Sequence, residues 1–434
     1  MEQWLLIVLG ILVGIAIGIF WGNAITRRVE GFETALAAYK ASPAYKKQLG
    51  ALVDLYDSKS GGRRDIQDML TSPVVNDMPE AEQCLVNFHV LATRFTGYIG
   101  PFMDGFFDIE NSITYALKAG CRAFIYEIDY LESCIGKSDE YDYYPKLIVR
   151  DVQGKIVSRG ETSKPMCNSD GVSNIKSAST VLRSAAFSSI VQNQNDPLIV
   201  ILYLLRIPPK EKTGNKRLLT YYSRIAKGLE PLFDKSADSI VTGGTFARQK
   251  QEGTLLINPL KSYMGRALFF CNADTSGFRS ATGYAPNEDL DYIVNLRLSF
   301  KQTQLGCTSN QSGGSYGGVE TVESYMTVPP SQLDNTCDDT KLRWTVCLSQ
   351  DPAKQPSEKN YTTLTGEIGV HCIPIQIWNK ENAYMFADSR FKKWSFIPKI
   401  KSLRYIKPPI VVPAKQVIEA DAKGGNLRTP MMGT

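Results

Sequence analysis

The chain has 434 residues, of which 43% are hydrophobic and 21% charged, which excludes a chain too polar to bury a core. Its 49 basic and 44 acidic residues leave a net charge of only +5, too balanced for a dedicated nucleic-acid binder, so no nucleic acid is expected as a partner. Nine cysteines are too sparse for a disulfide scaffold, and the only two histidines, His89 and His371, exclude a histidine-rich metal site.

The first element is apolar. No charge occurs from Gln3 to Thr26, and the run Trp4–Gly22 carries tryptophan near both ends. At ~1.5 Å per residue, about 20 residues match a ~30 Å hydrocarbon core. Glu2 stands where a signal peptide would be basic, and no small-residue cleavage site precedes Arg27, so residues 1–26 are expected to be an uncleaved transmembrane anchor. Arg27 and Arg28 then place the bulk of the chain on the cytoplasmic side. That side is reducing, which predicts free thiols and no glycans at the sequons of Asn310 and Asn360. Gly10, Gly14, Gly18 and Gly22 share one helical stripe, where another membrane helix or a second copy can approach closely.

Residues 27–80 read as a juxtamembrane helical spacer. Ser42-Pro43 supplies an N-cap and a first-turn proline, and Tyr45, Leu49, Leu52, Val53 and Tyr56 follow at helical spacing. The polar stretch Asp65–Glu82 reads as a connector. From residue 81 short apolar runs alternate with amphipathic stretches. Strands are predicted at Cys84–Val90, Arg122–Ile128, Lys146–Arg150, Pro197–Leu205, Ala267–Cys271, Tyr292–Phe300, Leu342–Leu348 and Cys372–Trp378. Helices are predicted around Ile109–Leu117, Val181–Ala185 and Leu218–Leu232. This order predicts an α/β fold, a TIM-type parallel barrel over 81–410, with a long loop insertion at 304–340 and an extended tail at 411–434. Asp139–Tyr144 reads as an exposed acidic loop. Gly243-Gly244-Thr245 reads as an ordinary turn, since it lacks the lysine of a phosphate cradle.

Three blocks resemble the catalytic barrel of phosphatidylinositol-specific phospholipase C. Asn87-Phe88-His89, expected at the end of the first strand, with Gly120-Cys121-Arg122 and Glu127-Ile128-Asp129, resembles the family's Ser-His-Asn and Gly-Cys-Arg…Glu-Leu-Asp elements. Asn258–Lys261 with Gly265–Phe269 is similar to its Ser-Pro-x-x-Leu-x-Gly-Lys strand. Gly369–Ile377, with Phe391 to Pro408, is similar to its last strand and the segment beyond. The resemblance implies a phospholipase C-like phosphodiesterase fold. It also implies a site in which one histidine deprotonates the inositol 2-hydroxyl while a second serves the leaving group, with calcium on oxygen ligands in eukaryotic members.

This sequence departs from that pattern. His89 matches the first histidine, but Lys146–Asp151 holds no second one, and His371 falls where the last strand begins, away from the catalytic face. Val90 stands in place of the calcium-ligating asparagine, and Ile201–Leu205 lacks the usual glutamate. Glu127 and Asp129 remain as acidic candidates, two residues further from Gly-Cys-Arg than the family has them. Arg150 offers charge to a phosphate but no proton at neutral pH. His89 is then a satisfied core or rim histidine, a surviving base, or a group that binds without turnover.

His89, Arg122, Glu127, Asp129 and Arg150 are therefore expected as a vestigial set in a pseudoenzyme. No cofactor is expected, with calcium only under an active reading. Arg390–Lys407 holds seven basic residues and no acid, so Lys392, Lys393, Lys399, Lys401, Arg404 and Lys407 are candidate contacts for anionic lipid. The functional expectation is a membrane-anchored structural or scaffold protein. It resembles membrane-anchored proteins of large DNA viruses, such as a minor capsid or membrane-to-shell protein in the virion. Its expected partners are a lipid bilayer, another membrane helix and other structural proteins. The alternative is an active phosphodiesterase on inositol phospholipids or similar head groups.

Overall fold

The computed structural model describes residues 40–56, 65–137, 142–158, 167, 174–209, 215–232, 247–299, 316–382 and 390–407. Eight parallel strands form the centre: β1 (Phe88–Thr93), β2 (Ala123–Asp129), β3 (Leu198–Leu204), β4 (Ala267–Cys271), β5 (Leu296–Ser299), β6 (Gly317–Thr321), β7 (Trp344–Leu348) and β8 (Cys372–Ile375). Each pairs with the next. The ring closes on β1, where Ala92 lies opposite Ala123 of β2 and Val90 opposite Cys372 of β8. The lower half of β1 is also paired, antiparallel, with β9 (Phe396–Pro398), Phe88 facing Pro398. The expected TIM-type parallel barrel is thus present.

Side-chain alternation sorts each strand between two cores. Ala123, Ile125, Ile199, Ile201, Leu268 and Phe270 fill the barrel interior. Phe124, Tyr126, Val200, Leu202 and Phe269 pack outward against the helices. β3 reads Leu-Ile-Val-Ile-Leu-Tyr-Leu and is buried at every position, because both of its faces are covered.

The longer helices are α1 (Pro43–Tyr56), α2 (Ile109–Lys118), α3 (Ile175–Ala186), α4 (Lys216–Gly228) and α5 (Pro330–Leu342). Ser42 caps α1 by accepting from the Tyr45 amide at 3.2 Å. Asp108 caps α2, and the chain leaves it through Gly120 at φ +92°, a conformation that glycine adopts without strain.

Several expectations are corrected. The 27–80 spacer does not stand apart where it is described. Tyr45 of α1 donates to Asp108 at 2.6 Å, and Tyr56 donates to the Ile377 carbonyl at 2.6 Å. Ile66, Met69, Val75 and Met78 close the amino-terminal end of the barrel as part of its interior core. The loop insertion at 304–340 is in its described part a barrel strand, β6, followed by α5. Lys146–Arg150 is no barrel strand. Only Lys146–Leu147 is extended, and it runs antiparallel to the end of β2. Cys84–Val90 begins with a 3₁₀ turn at Leu85–Asn87, which moves β1 on to residue 93. The thiols are not all free, since Cys134 and Cys167 form a disulfide.

Trp4–Gly22 with its four glycines, Arg27, Arg28, Gly243–Thr245, Asn310 and the tail 411–434 lie outside the described residues. Among the described residues no helix is long and apolar enough to cross a membrane.

Candidate functional site

The carboxyl-terminal mouth of the barrel is assembled from the inward-facing positions that follow the core layers. On β1 the series Val90, Ala92 delivers Arg94, just past the strand. On β2 the series Ala123, Ile125 delivers Glu127 and then Asp129. Arg94 and Glu127 meet at 2.5 Å, both almost fully buried, and Arg94 also donates to the Ser349 carbonyl. Asp129 is fully buried between two guanidiniums, Arg150 Nε at 2.5 Å and Arg206 Nε at 2.9 Å. Both arginines also reach Glu132, at 3.1 and 2.6 Å, and both donate to the Tyr130 carbonyl. Arg206 lies 4.3 Å over the Tyr130 ring as well.

Three cations thus stand against three carboxylates. Burial raises the Glu127 and Asp129 carboxyls, and the facing arginines oppose that rise. Burial works against the Arg206 cation, but Asp129, Tyr130 and Glu132 together offset it and hold its pKa up. Further round the rim Asp274, just after β4, pairs with Arg297 at 3.1 Å, and other positions are apolar or tied to backbone. Tyr203, Leu205 and Leu348 belong to the interior core, and the Asn272 amide bonds both backbone groups of Leu204.

Calcium is the metal the resemblance suggests, and these residues do not fit it. The carboxylates that would ligate it already accept from guanidiniums at 2.5–3.1 Å, and a divalent cation would sit beside three like charges. Among the described residues no group of three or more His, Cys, Asp or Glu side chains gathers with metal-site geometry.

Both histidines lie at the opposite end of the barrel. His89 is the second residue of β1, not its end, and its Nδ1 donates to the Val370 carbonyl at 2.6 Å. His371 precedes β8. Its Nε2 donates to the Val86 carbonyl at 2.8 Å, so its Nδ1 is free to accept from the Thr345 amide at 3.0 Å. That pair of bonds fixes a neutral imidazole, and burial holds its pKa well below the usual histidine value. Arg122 also sits at the closed end, at the start of β2. It is fully buried and donates to the carbonyls of Ala186 and Asn193.

Of the five expected vestigial residues, Glu127, Asp129 and Arg150 meet at the mouth, while His89 and Arg122 do not. Sequence reading missed Arg94 and Arg206. The signal for both was positional: each is the first charged residue after a buried strand. The basic set is corrected too. Lys399 is fully buried with its ammonium on the Thr340 carbonyl at 2.8 Å, and burial holds its pKa well below the usual lysine value. Arg404 is bound to both oxygens of Asp77, at 3.0 and 3.3 Å. Neither is available to lipid. Lys392, Lys393, Lys401 and Lys407 are exposed.

No protein-family model matches the chain. No curated protein matches it either. Among solved structures it is similar to PLC21 of L. pealei, at 10% identity and a TM-score of 0.44, covering 75% of this chain and 38% of that one. It is similar to PLC21 of S. officinalis, at 11% identity and a TM-score of 0.44, covering 78% and 41%. It is also similar to a calcium-dependent phosphoinositol-specific phospholipase C from Pseudomonas sp., at 10% identity and a TM-score of 0.42, covering 75% and 99%. The chain therefore spans about two-fifths of the two PLC21 chains, and the closed parallel barrel itself is defined by its strand pairing.

Proposed function

We propose that the chain is a membrane-held structural or scaffold protein built on a phospholipase C-like barrel that no longer turns over phosphodiesters. Its specific form would be a minor capsid or membrane-to-shell protein of a large DNA virus. The observation that carries the loss of turnover is the separation of the two histidines from the mouth. Cleavage of an inositol phosphodiester by its own 2-hydroxyl needs one group to take a proton and another to give one. The mouth offers Glu127 and Asp129, each engaged by arginine, and both imidazoles are committed to backbone at the other end. An anchored chain with an inert, rigid barrel suits a load-bearing or spacing role between a bilayer and other proteins.

The test is direct. Full-length protein in mixed micelles with phosphatidylinositol, with and without calcium, is expected to release no inositol phosphate. Release that disappears in Glu127→Gln would install the active phosphodiesterase in place of the scaffold.

A further inference from the structure

The closed end of the barrel carries a surface that its own core does not need. A cavity of about 550 Å³ opens between the segment that plugs the barrel and the strand that follows Phe391. Its lining includes Val74, Trp394, Ile397, Ile400, Lys401 and Arg404. Around it, large aliphatic side chains stand in solvent: Val74 and Ile400 at the cavity, Leu342 at the end of α5, and Ile406 just beyond Arg404, the last two 58% exposed. α5 packs on the Lys401–Leu403 turn, which makes these residues neighbours at one end of the molecule. Lys401 and Lys407 flank Ile400 and Ile406 and are exposed; the Lys401 charge also acts on Asp77, which lines the cavity and is paired with Arg404.

We infer that this closed end docks on an anionic phospholipid surface, with Ile400, Ile406, Leu342 and Val74 entering the interface and Lys401 and Lys407 meeting headgroup phosphates. The inference rests on the membrane-held reading above and adds to it which face meets the bilayer. Charge and shape favour lipid over a protein partner. The aliphatics protrude singly from turns and helix ends, and each is next to a lysine or the cavity. Trp394 lines the cavity but is buried, and among the described residues no exposed aromatic side chain joins these aliphatics to form the flat centre a dry protein interface uses. Shallow apolar insertion with lysines at its edge is the pattern that binds lipid surfaces by area and charge together.

The geometry of the amino terminus permits it. α1 is fixed at the mouth end, by Asp108 at the head of α2 and Ile377 after β8. Residues 23–39 separate the apolar run from the described chain, and 17 residues span up to roughly 60 Å. A barrel strand of six or seven residues is only about 20 Å long. An anchor entering near the mouth can therefore still leave the closed end on the membrane.

The experiment uses the full chain reconstituted in phosphatidylcholine vesicles with or without phosphatidylserine, and in neutral detergent micelles. Amide exchange is read across residues 399–407. Exchange about tenfold slower, seen only with phosphatidylserine, is expected. The gain should vanish in the Lys401→Glu/Lys407→Glu variant and shrink in Ile406→Ser, both with wild-type melting curves. Equal exchange with and without phosphatidylserine overturns the inference, as does a gain that survives the lysine variant. Slow exchange already present in micelles overturns it too, because the chain or a second copy would then cover the patch. Carbonate extraction separates the two readings. A chain that resists extraction but shows no lipid-dependent protection keeps its anchor and loses this docking face, whereas a chain released by carbonate loses the anchor itself.

Discussion

Asp196 shows what a single buried carboxyl does to this molecule. It lies at the closed end and accepts from the Ile66 amide at 2.7 Å. Burial pushes its pKa up to about 7, with Arg122 opposing the rise. The sign of the linkage follows. Between about pH 4 and pH 7 the unfolded carboxyl has lost its proton while the folded one keeps it, so stability falls as pH rises through that window and levels off above it. Asp196→Asn keeps the acceptor for Ile66 and removes the charge. Denaturant midpoints should show this variant more stable than wild type at pH 8, by an amount on the order of a few kcal/mol at most, with the gap closing towards pH 5. A gap that is the same at both pH values would mean that Asp196 is ionised throughout. The mouth makes the complementary case. Arg94→Ala leaves Glu127 buried and unpaired and should cost about 3–5 kcal/mol, whereas a joint Arg94→Met/Glu127→Leu change should cost far less in the same urea titration.

At the scale of elements, legibility tracked how completely a segment's two faces are apolar. β3 and β4 could be read because every position is buried, and α4 because Leu218, Leu219, Tyr222 and Ile225 mark one face of a helix. β6 could not be read. Its first residues are Gly317 and Gly318, at the end of a glycine-rich run that looks like a loop in any window. The reason for glycine lies on the neighbouring strand β5, where Leu298 stands opposite Gly317. A Cβ on Gly317 would come within 2.6 Å of Leu298 Cδ2 and 3.2 Å of the Arg297 carbonyl, so a tertiary contact chose the residue that local pattern misreads. The atoms nearest a Cβ on Gly318 belong to the guanidinium of Arg343, the far end of a long side chain, which is held by Ser299, Asp339 and Glu320. Gly317→Ala should therefore cost about 1–3 kcal/mol and Gly318→Ala distinctly less. Equal urea midpoints for the two variants would refute this account of β6. His89 failed as a site residue for a related reason. The period of two fixes which face a side chain takes but not which end of the strand it occupies, and the shift of β1 by a few residues carried the histidine from the mouth to the floor.

The whole molecule depends on a segment that sequence reading set outside it. A polar stretch with prolines has the composition of a connector, and nothing in its periodicity says that Ile66, Met69, Val75 and Met78 are its working residues. Those four side chains are almost wholly buried, under 5% exposed, and close the open floor of the barrel. Burying an aliphatic side chain contributes ~1.5–3 kcal/mol, so the four together contribute on the order of 6–12 kcal/mol. Net stabilities of folded domains are about 5–15 kcal/mol. Losing the plug would remove most of that margin, and it would also expose the interior faces of Leu255, Leu260 and Phe396 to water and strand Arg404 without Asp77. A fragment spanning 40–407 should then unfold in one cooperative transition, while 81–407 should lack one, bind a hydrophobic dye and aggregate. Circular dichroism against urea on the two fragments decides the matter: a sharp transition in 81–407 at the midpoint of 40–407 would show that the barrel stands without its floor.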